Sequence, residues 1–157
     1  MIYYLFRHGQ TFFSKYHLKY GKKNDTAEII PEGIPKIINI AAKLKEEEVK
    51  VIYSSPIKRC VQTVEIIKKE VPTIKIIYYQ SLEEEKVSRG LETFEDQTER
   101  IKNFLDEIKE KKLEKVAICS HGWPIAVMIA LLKNKRVNRL SLLNYPKCGV
   151  IVTIDTK

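Results

Sequence analysis

The chain has 157 residues, enough to bury one core and too few for a second, so a single domain over residues 1–157 is expected. Hydrophobic residues make up 44% and charged residues 31%, a balance that excludes a disordered chain and argues against a membrane protein. The net charge of +8 admits nucleic acid, but most lysines alternate with glutamates, as in "KLKEEEVK" and "KEKKLEK", the pattern of solvated helix faces, so a nucleic-acid partner is disfavoured.

In chain order, residues 2 to 6 read as a strand that ends abruptly in Arg7, His8 and Gly9. The opening "MIYYLF" lacks a basic start and a long apolar segment, so no signal peptide is read there and a cytoplasmic protein is expected. Next comes "KYHLKYGKK", residues 15 to 23, with Lys15, Lys19, Lys22, Lys23 and two tyrosines and no acid. It reads as a solvated loop, an RNA contact or a basic flap that attracts an anionic substrate. The segment "IPKIINIAAKL" then spaces Ile34, Ile37, Ile38, Ala41 and Leu44 along one helical face. A second strand, residues 50 to 54, runs into "SSPIKRCVQT", where Ser55 is placed to cap a helix, Pro56 suits its first turn, and Arg59 lies one turn in. That helix carries Val61, Val64 and Ile67 on one side. A third strand covers 74 to 79, a third helix about 94 to 111, and a fourth strand 115 to 120, ending in "ICSHGWP". The longest apolar stretch, "WPIAVMIALL", is half a membrane span and reads instead as a helix starting near Pro124. The last strand, 149 to 154, can be an edge strand of either direction. Cys60, Cys119 and Cys148 are odd in number and have no C-x-x-C spacing, and are read as reduced core thiols.

Strands alternating with helices imply a mostly parallel sheet covered on both faces, whose ligands bind beyond the carboxyl ends of the strands. Two of the three histidines, His8 and His121, stand at such ends, each followed by a glycine that lets the backbone turn and a ligand approach. The choice of arginine is also informative. Only 6 of the 28 basic residues are arginines, and Arg7 and Arg59 stand at two strand ends, where a planar guanidinium grips phosphate oxygens in a way lysine cannot. Two arginines, two histidines and helix amino ends in one crevice describe a site for a phosphoryl group. No acidic cluster or histidine pair has metal-ligand spacing, so neither metal nor cofactor is expected. A histidine is then the natural nucleophile, its ordinary pKa near 6.5 leaving it largely neutral at pH 7.

"LFRHGQT", "SSPIKRCVQT" and "ICSHG", in this order, resemble the histidine phosphatase superfamily, the phosphoglycerate-mutase-like clan. The resemblance runs from residue 2 to about 122, with a weaker echo in "LETFEDQTERIKNFLDEI" and the closing strand. It implies a three-layer α/β/α sandwich and a two-step mechanism through a phosphohistidine. Carried over by position, His8 is the nucleophile, and Arg7, Arg59 and His121 hold and neutralise the phosphoryl group. Thr11 falls where the family places a phosphate-contacting hydroxyl, and Gly9, Gln10, Ser14 and Gly122 complete the substrate-binding set.

Two positions depart from the pattern. Ser14 stands where the family often has asparagine. The general acid is usually a glutamate in a leucine-x-glutamate context followed closely by glycine. Here "SLEEEKVSRG" offers Glu84 at the leucine spacing and Glu83 beside it, with Gly90 arriving late. The resemblance implies a metal-independent phosphatase acting on a small phosphorylated substrate or a phosphoprotein, either a phosphomonoester or a phosphohistidine, with no membrane partner. The alternatives are a phosphoglycerate-mutase-type transfer, or a non-catalytic module that binds a phosphorylated ligand or RNA.

Overall fold

A computed structural model describes residues 1–157. Five strands, β1 (Ile2–Arg7), β2 (Val51–Ser54), β3 (Lys75–Tyr78), β4 (Lys115–Ser120) and β5 (Ile151–Asp155), form one sheet in the order β3-β2-β4-β1-β5. The pairs β1–β4, β2–β4 and β2–β3 are parallel, and β5 runs antiparallel beside β1. The direction of the last strand, left open by its sequence, is thus antiparallel.

Alternation along the strands builds two cores. Tyr3 and Leu5 of β1 pack with Ile101, Phe104 and Ile108 of α4 (Phe94–Glu110) and Ile125 and Met128 of α5 (Gly122–Leu132). Tyr4 and Phe6 face the other way, onto Ile37, Ala41 and Leu44 of α2 (Ile34–Glu46) and Cys60, Val64 and Ile67 of α3 (Lys58–Glu70). Helices on both faces of a mostly parallel sheet make the expected three layers. Each fully buried Leu, Ile, Val, Phe or Met among them contributes roughly 1.5–3 kcal/mol. No helix is long and apolar enough to cross a membrane.

Three local expectations are corrected. Ile38 is 41% exposed, because α2 turns Ile37, Ile40, Ala41 and Leu44 inward, and Ile38 lies a full 100° round the axis from Ile37. Similarly Val61 is only half-buried, since Cys60, Thr63, Val64 and Ile67 take the inner face of α3. The cap of α3 is Ile57, not Ser55, because the Ser55 hydroxyl accepts from the Ile57 amide at 3.2 Å in the turn before the helix, leaving Pro56 outside it. Of the cysteines, Cys60 and Cys119 are buried, whereas Cys148 is only partly so and borders a cavity.

The parallel order places the carboxyl ends of β1, β4 and β2 side by side. Two backbone bonds extend this ladder past the strands, His8 N–H to Ser120 O at 3.1 Å and Ser55 N–H to Cys119 O at 3.0 Å. The residues after all three strands are therefore fixed relative to one another.

Candidate active site

His8, Arg59 and His121 meet above these three strand ends, and all three are fully buried. The His8 and His121 rings lie 5.4 Å apart. His8 Nδ1 is 2.7 Å from the Gly9 carbonyl oxygen, which can only accept, so Nδ1 carries the proton. That leaves Nε2 with its lone pair, buried and without a partner. Burial, reinforced by Arg59 and Arg7, pushes the His8 pKa well below its ordinary 6.5 and keeps the ring neutral. The Gly9 amide donates to Thr63 Oγ1 at 2.8 Å, and that hydroxyl donates to the Arg59 carbonyl at 2.6 Å, tying the loop after β1 to α3. Neither His-Gly glycine adopts a positive φ. What Gly9 supplies is space, since a Cβ there would stand 2.5 Å from Ile37 Cδ1.

The tautomer of His121 is fixed in the same way. Arg59 can only donate, so its Nη2 at 3.0 Å makes His121 Nδ1 an acceptor, and Nε2–H donates to Ser55 Oγ at 2.9 Å. Burial, Arg59 and His8 also hold this ring's pKa well below 6.5. Arg59 is held through both Nη atoms, while its Nε stays buried without a partner. Nη1 donates to the Asn24 carbonyl, Nη2 reaches Asn24 Oδ1 and Glu84 Oε2 at 3.2 Å each, and the guanidinium lies 4.2 Å from the Tyr20 ring centroid. Arg7, at the end of β1, lies 4.9 Å from the Tyr145 ring centroid and its Nη1 contacts the Pro146 carbonyl at 3.5 Å.

Glu84 joins this cluster and Glu83 does not. Glu84 Oε2 is 3.6 Å from His121 Nδ1, and its side chain is 17% exposed. Burial raises its pKa and outweighs the opposing pull of Arg59. Glu83 instead pairs with Lys86 at 3.0 Å. The segment bearing Glu84 is tied down twice. Ser120 Oγ donates to Leu82 O at 2.6 Å, and Arg100 donates to the carbonyls of Ser81, Glu83 and Glu84 at 2.6, 3.2 and 3.3 Å. Arg100 is itself aligned by Glu92 through a bidentate pair at 2.8 and 2.9 Å.

Thr11 and Ser14 are engaged with each other. They form a capping box on α1 (Phe12–Lys15): Ser14 N–H donates to Thr11 Oγ1 at 3.0 Å and Thr11 N–H to Ser14 Oγ at 2.8 Å. Thr11 Oγ1 also shares a hydrogen bond of 2.8 Å with the Tyr20 hydroxyl. Gln10 uses its carbonyl to accept from Ile30 N–H at 2.8 Å, while Gln10 and Ser14 border a cavity beside Arg7. Gly122 opens α5 beneath the Tyr145 ring. Tyr20 borders this cavity and a second one on the Glu84 side. His8, Arg59 and His121 are thus covered, with Tyr20 lying over the Arg59 guanidinium.

Asn24, Tyr20, Thr63, Tyr145 and Arg100 were not singled out from the sequence. For Arg100 a signal existed: it is another of the 6 arginines in a lysine-rich chain. Thr63 stands one turn after Arg59, the spacing at which a threonine hydroxyl reaches back to a helix carbonyl.

The histidine phosphatase superfamily (branch 1) matches the chain over residues 3–89 and again over 78–156. No curated protein matches its sequence. Among solved structures, the alpha-ribazole phosphatase from Shigella flexneri superposes with a TM-score of 0.78 at 16% identity, covering 99% of this chain and 90% of that one. A mycobacterial glucosyl-3-phosphoglycerate phosphatase, solved with VO3, gives 0.78 at 15% identity over 97% and 90%. A phosphoglycerate mutase from Bacillus anthracis gives 0.74 at 17% identity over 98% and 86%. At these identities the likeness to the three is one of fold.

Proposed function

We propose that this chain, which belongs to the histidine phosphatase superfamily (branch 1), is a metal-independent phosphatase that hydrolyses phosphomonoesters through a phosphohistidine on His8. The observation that carries the reading is the state of His8. Its Nδ1–H is spent on the Gly9 carbonyl, so a lone pair stands on Nε2 among Arg7, Arg59 and His121.

In the first step Nε2 forms a bond to phosphorus as the P–O bond to the leaving group breaks. Arg59 and Arg7 balance charge on the three equatorial oxygens. Protonated Glu84 gives its proton to the departing oxygen, a role supported by its burial and raised pKa. Ionised Glu84 then takes a proton from water, whose oxygen attacks phosphorus. The P–N bond breaks, inorganic phosphate leaves, and His8 regains its lone pair. His121 Nδ1, 3.6 Å from Glu84 Oε2, becomes a donor to the phosphoryl oxygens when the arriving dianion favours its protonation.

Glu84 in this cluster favours phosphomonoesters with poor leaving groups over phosphohistidine, which departs with less help. Two of the three structural neighbours are described as phosphatases, in line with hydrolysis, and the mutase differs in returning the phosphoryl group to a retained product. The test is p-nitrophenyl phosphate hydrolysis in EDTA by the unmodified protein and by His8→Ala. Turnover abolished by the substitution is expected. Turnover that survives it, or that EDTA removes, contradicts the reading.

A further inference from the structure

The net charge of +8 is unevenly distributed. No aspartate or glutamate occurs from Met1 to Asn24 or from Lys115 to Ile154, and these two stretches hold eleven of the 28 basic residues. The rest of the chain carries the other 17 and all 20 acids, a net −3. Folding brings the two stretches side by side, because β1 lies between β4 and β5. The cavity beside Arg7 is bordered by Phe13, Lys15 and Leu18 from the first stretch and by Tyr145 and Lys147 from the second. Beyond Tyr145, a wall of both, a further cavity of about 760 Å³ is bordered by Lys133, Lys135, Arg136, Leu140 and Leu143. Neither cavity has a carboxylate on its border, and of these cations only Lys15 takes part in an ion pair.

The same stretches expose apolar side chains. Ten large apolar side chains of the molecule are exposed, and seven belong here: Phe12, Tyr16 and Leu18 in the first stretch, Leu140, Leu143, Tyr145 and Val150 in the second. The 3-10 turn Arg139–Leu143 sets Leu140 and Leu143 three residues apart on one side, each 75% exposed, while Leu142 is buried on the other. Asn138 caps that turn, its Oδ1 accepting from Ser141 N–H at 3.0 Å, so the two leucines are held outward. Phe12 and Tyr16 stand four residues apart with ring centroids separated by 4.8 Å, and Lys15 Nζ lies 5.6 Å from the Tyr16 ring.

We infer that this face docks reversibly onto an anionic lipid bilayer, with its lysines and arginines against the headgroups and Leu140, Leu143, Phe12 and Tyr16 entering the interface. Unpaired cations mixed with exposed leucine and aromatic side chains are the two contributions that hold a peripheral protein on such a surface. Other occupants match less of what is exposed. A second copy would set the same cations against one another. On nucleic acid the aliphatic Leu18, Leu140, Leu143 and Val150 would gain nothing, since only aromatic rings stack on bases. A protein would need a separate pocket for each projecting side chain, whereas a bilayer takes them wherever they stand. The inference goes beyond the phosphatase reading, does not depend on it, and departs from the expectation that no membrane is a partner.

The test is co-sedimentation of the unmodified protein with phosphatidylcholine vesicles and with vesicles containing about 30% phosphatidylserine, at low and at physiological ionic strength. Binding to the anionic vesicles and not to the neutral ones is expected, weakening as salt screens the charges. At physiological ionic strength K133Q/K135Q/R136Q is expected to bind the anionic vesicles about 100-fold more weakly. L140S/L143S, its charge unchanged, is expected to bind at least about fivefold more weakly. K50Q/K69Q/K75Q removes three exposed lysines around β2 and β3, at the other edge of the sheet, and is expected to lose less than about threefold. The unmodified protein alone can overturn the inference. Failure to bind the anionic vesicles, or equal binding to both kinds, does so, and binding of polyuridylate or polyglutamate in their place marks the face as one for nucleic acid or an acidic protein. With thermal melting showing each variant folded, equal losses from the two triple variants, or L140S/L143S binding like the unmodified protein, overturns it as well.

Discussion

A single proton on each of two imidazoles sets the chemistry of the pocket. The Gly9 carbonyl claims the proton of His8 on Nδ1 and Ser55 claims that of His121 on Nε2, so His121 turns a lone pair toward Arg59 and Glu84 while that of His8 stays buried without a partner. Both are also held neutral, as burial beside two guanidiniums lowers their pKa values well below 6.5. Glu84 moves the opposite way, raised above 4.5 by burial. His8 therefore stays unprotonated into acid, and Glu84 stays protonated beyond the range of an ordinary glutamate. Activity on alkyl phosphates is expected to peak on the acid side of neutrality and to fall as pH rises through the raised pKa of Glu84. Glu84→Gln should erase that alkaline limb and lower kcat/KM for alkyl phosphates by about 100 to 10,000-fold, while kcat/KM for p-nitrophenyl phosphate, whose leaving group needs no proton, loses far less. Equal losses on both substrates would remove Glu84 from the acid role.

At the level of elements, the proposed acid, Glu84, sits on an irregular part of the site. The strand ends carrying His8 and His121 are locked by the sheet, but Glu84 follows a single 3-10 turn, Gln80–Leu82, and depends on side chains for its place. Arg100 of α4 grips three carbonyls of this segment while Glu92 fixes its fork, and in the proposed mechanism it is a positioning residue. Arg100→Lys keeps the charge and loses the fork. It is expected to lower kcat on alkyl phosphates by about 100-fold, the cost of a roughly 1 Å misplacement, with KM little changed and kcat/KM for p-nitrophenyl phosphate largely spared. A variant equally impaired on both substrates, or impaired through KM, would mark Arg100 as a support of the fold and not of the acid.

Seen as a whole molecule, the chain declared its sheet and helices openly and its cover hardly at all. Period-two apolar runs and helical spacing located all five strands and the four longer helices, because each buries a face and burial imposes a period. Arg7, His8 and His121 were legible because they stand at strand ends, and Arg59 because it lies in the first turn of the helix after one, where parallel topology brings distant segments together. The partners of Arg59 were not, since Asn24 and Tyr20 come from a loop whose path no periodicity records. Nor could spacing decide between Glu83 and Glu84, because the choice is made by Arg100 and Ser120, 16 and 36 residues further along the chain from Glu84. In the proposed mechanism phosphoryl transfer passes through Nε2 of His8. Rapid quenching of the Glu84→Gln variant during turnover of p-nitrophenyl phosphate, whose leaving group needs no proton, followed by mass spectrometry, reads the phosphoenzyme itself. An acid-labile, base-stable phosphate on His8, attached at Nε2, is the expected result. Turnover without any phosphoenzyme, or phosphate attached at Nδ1 or on another residue, would contradict it.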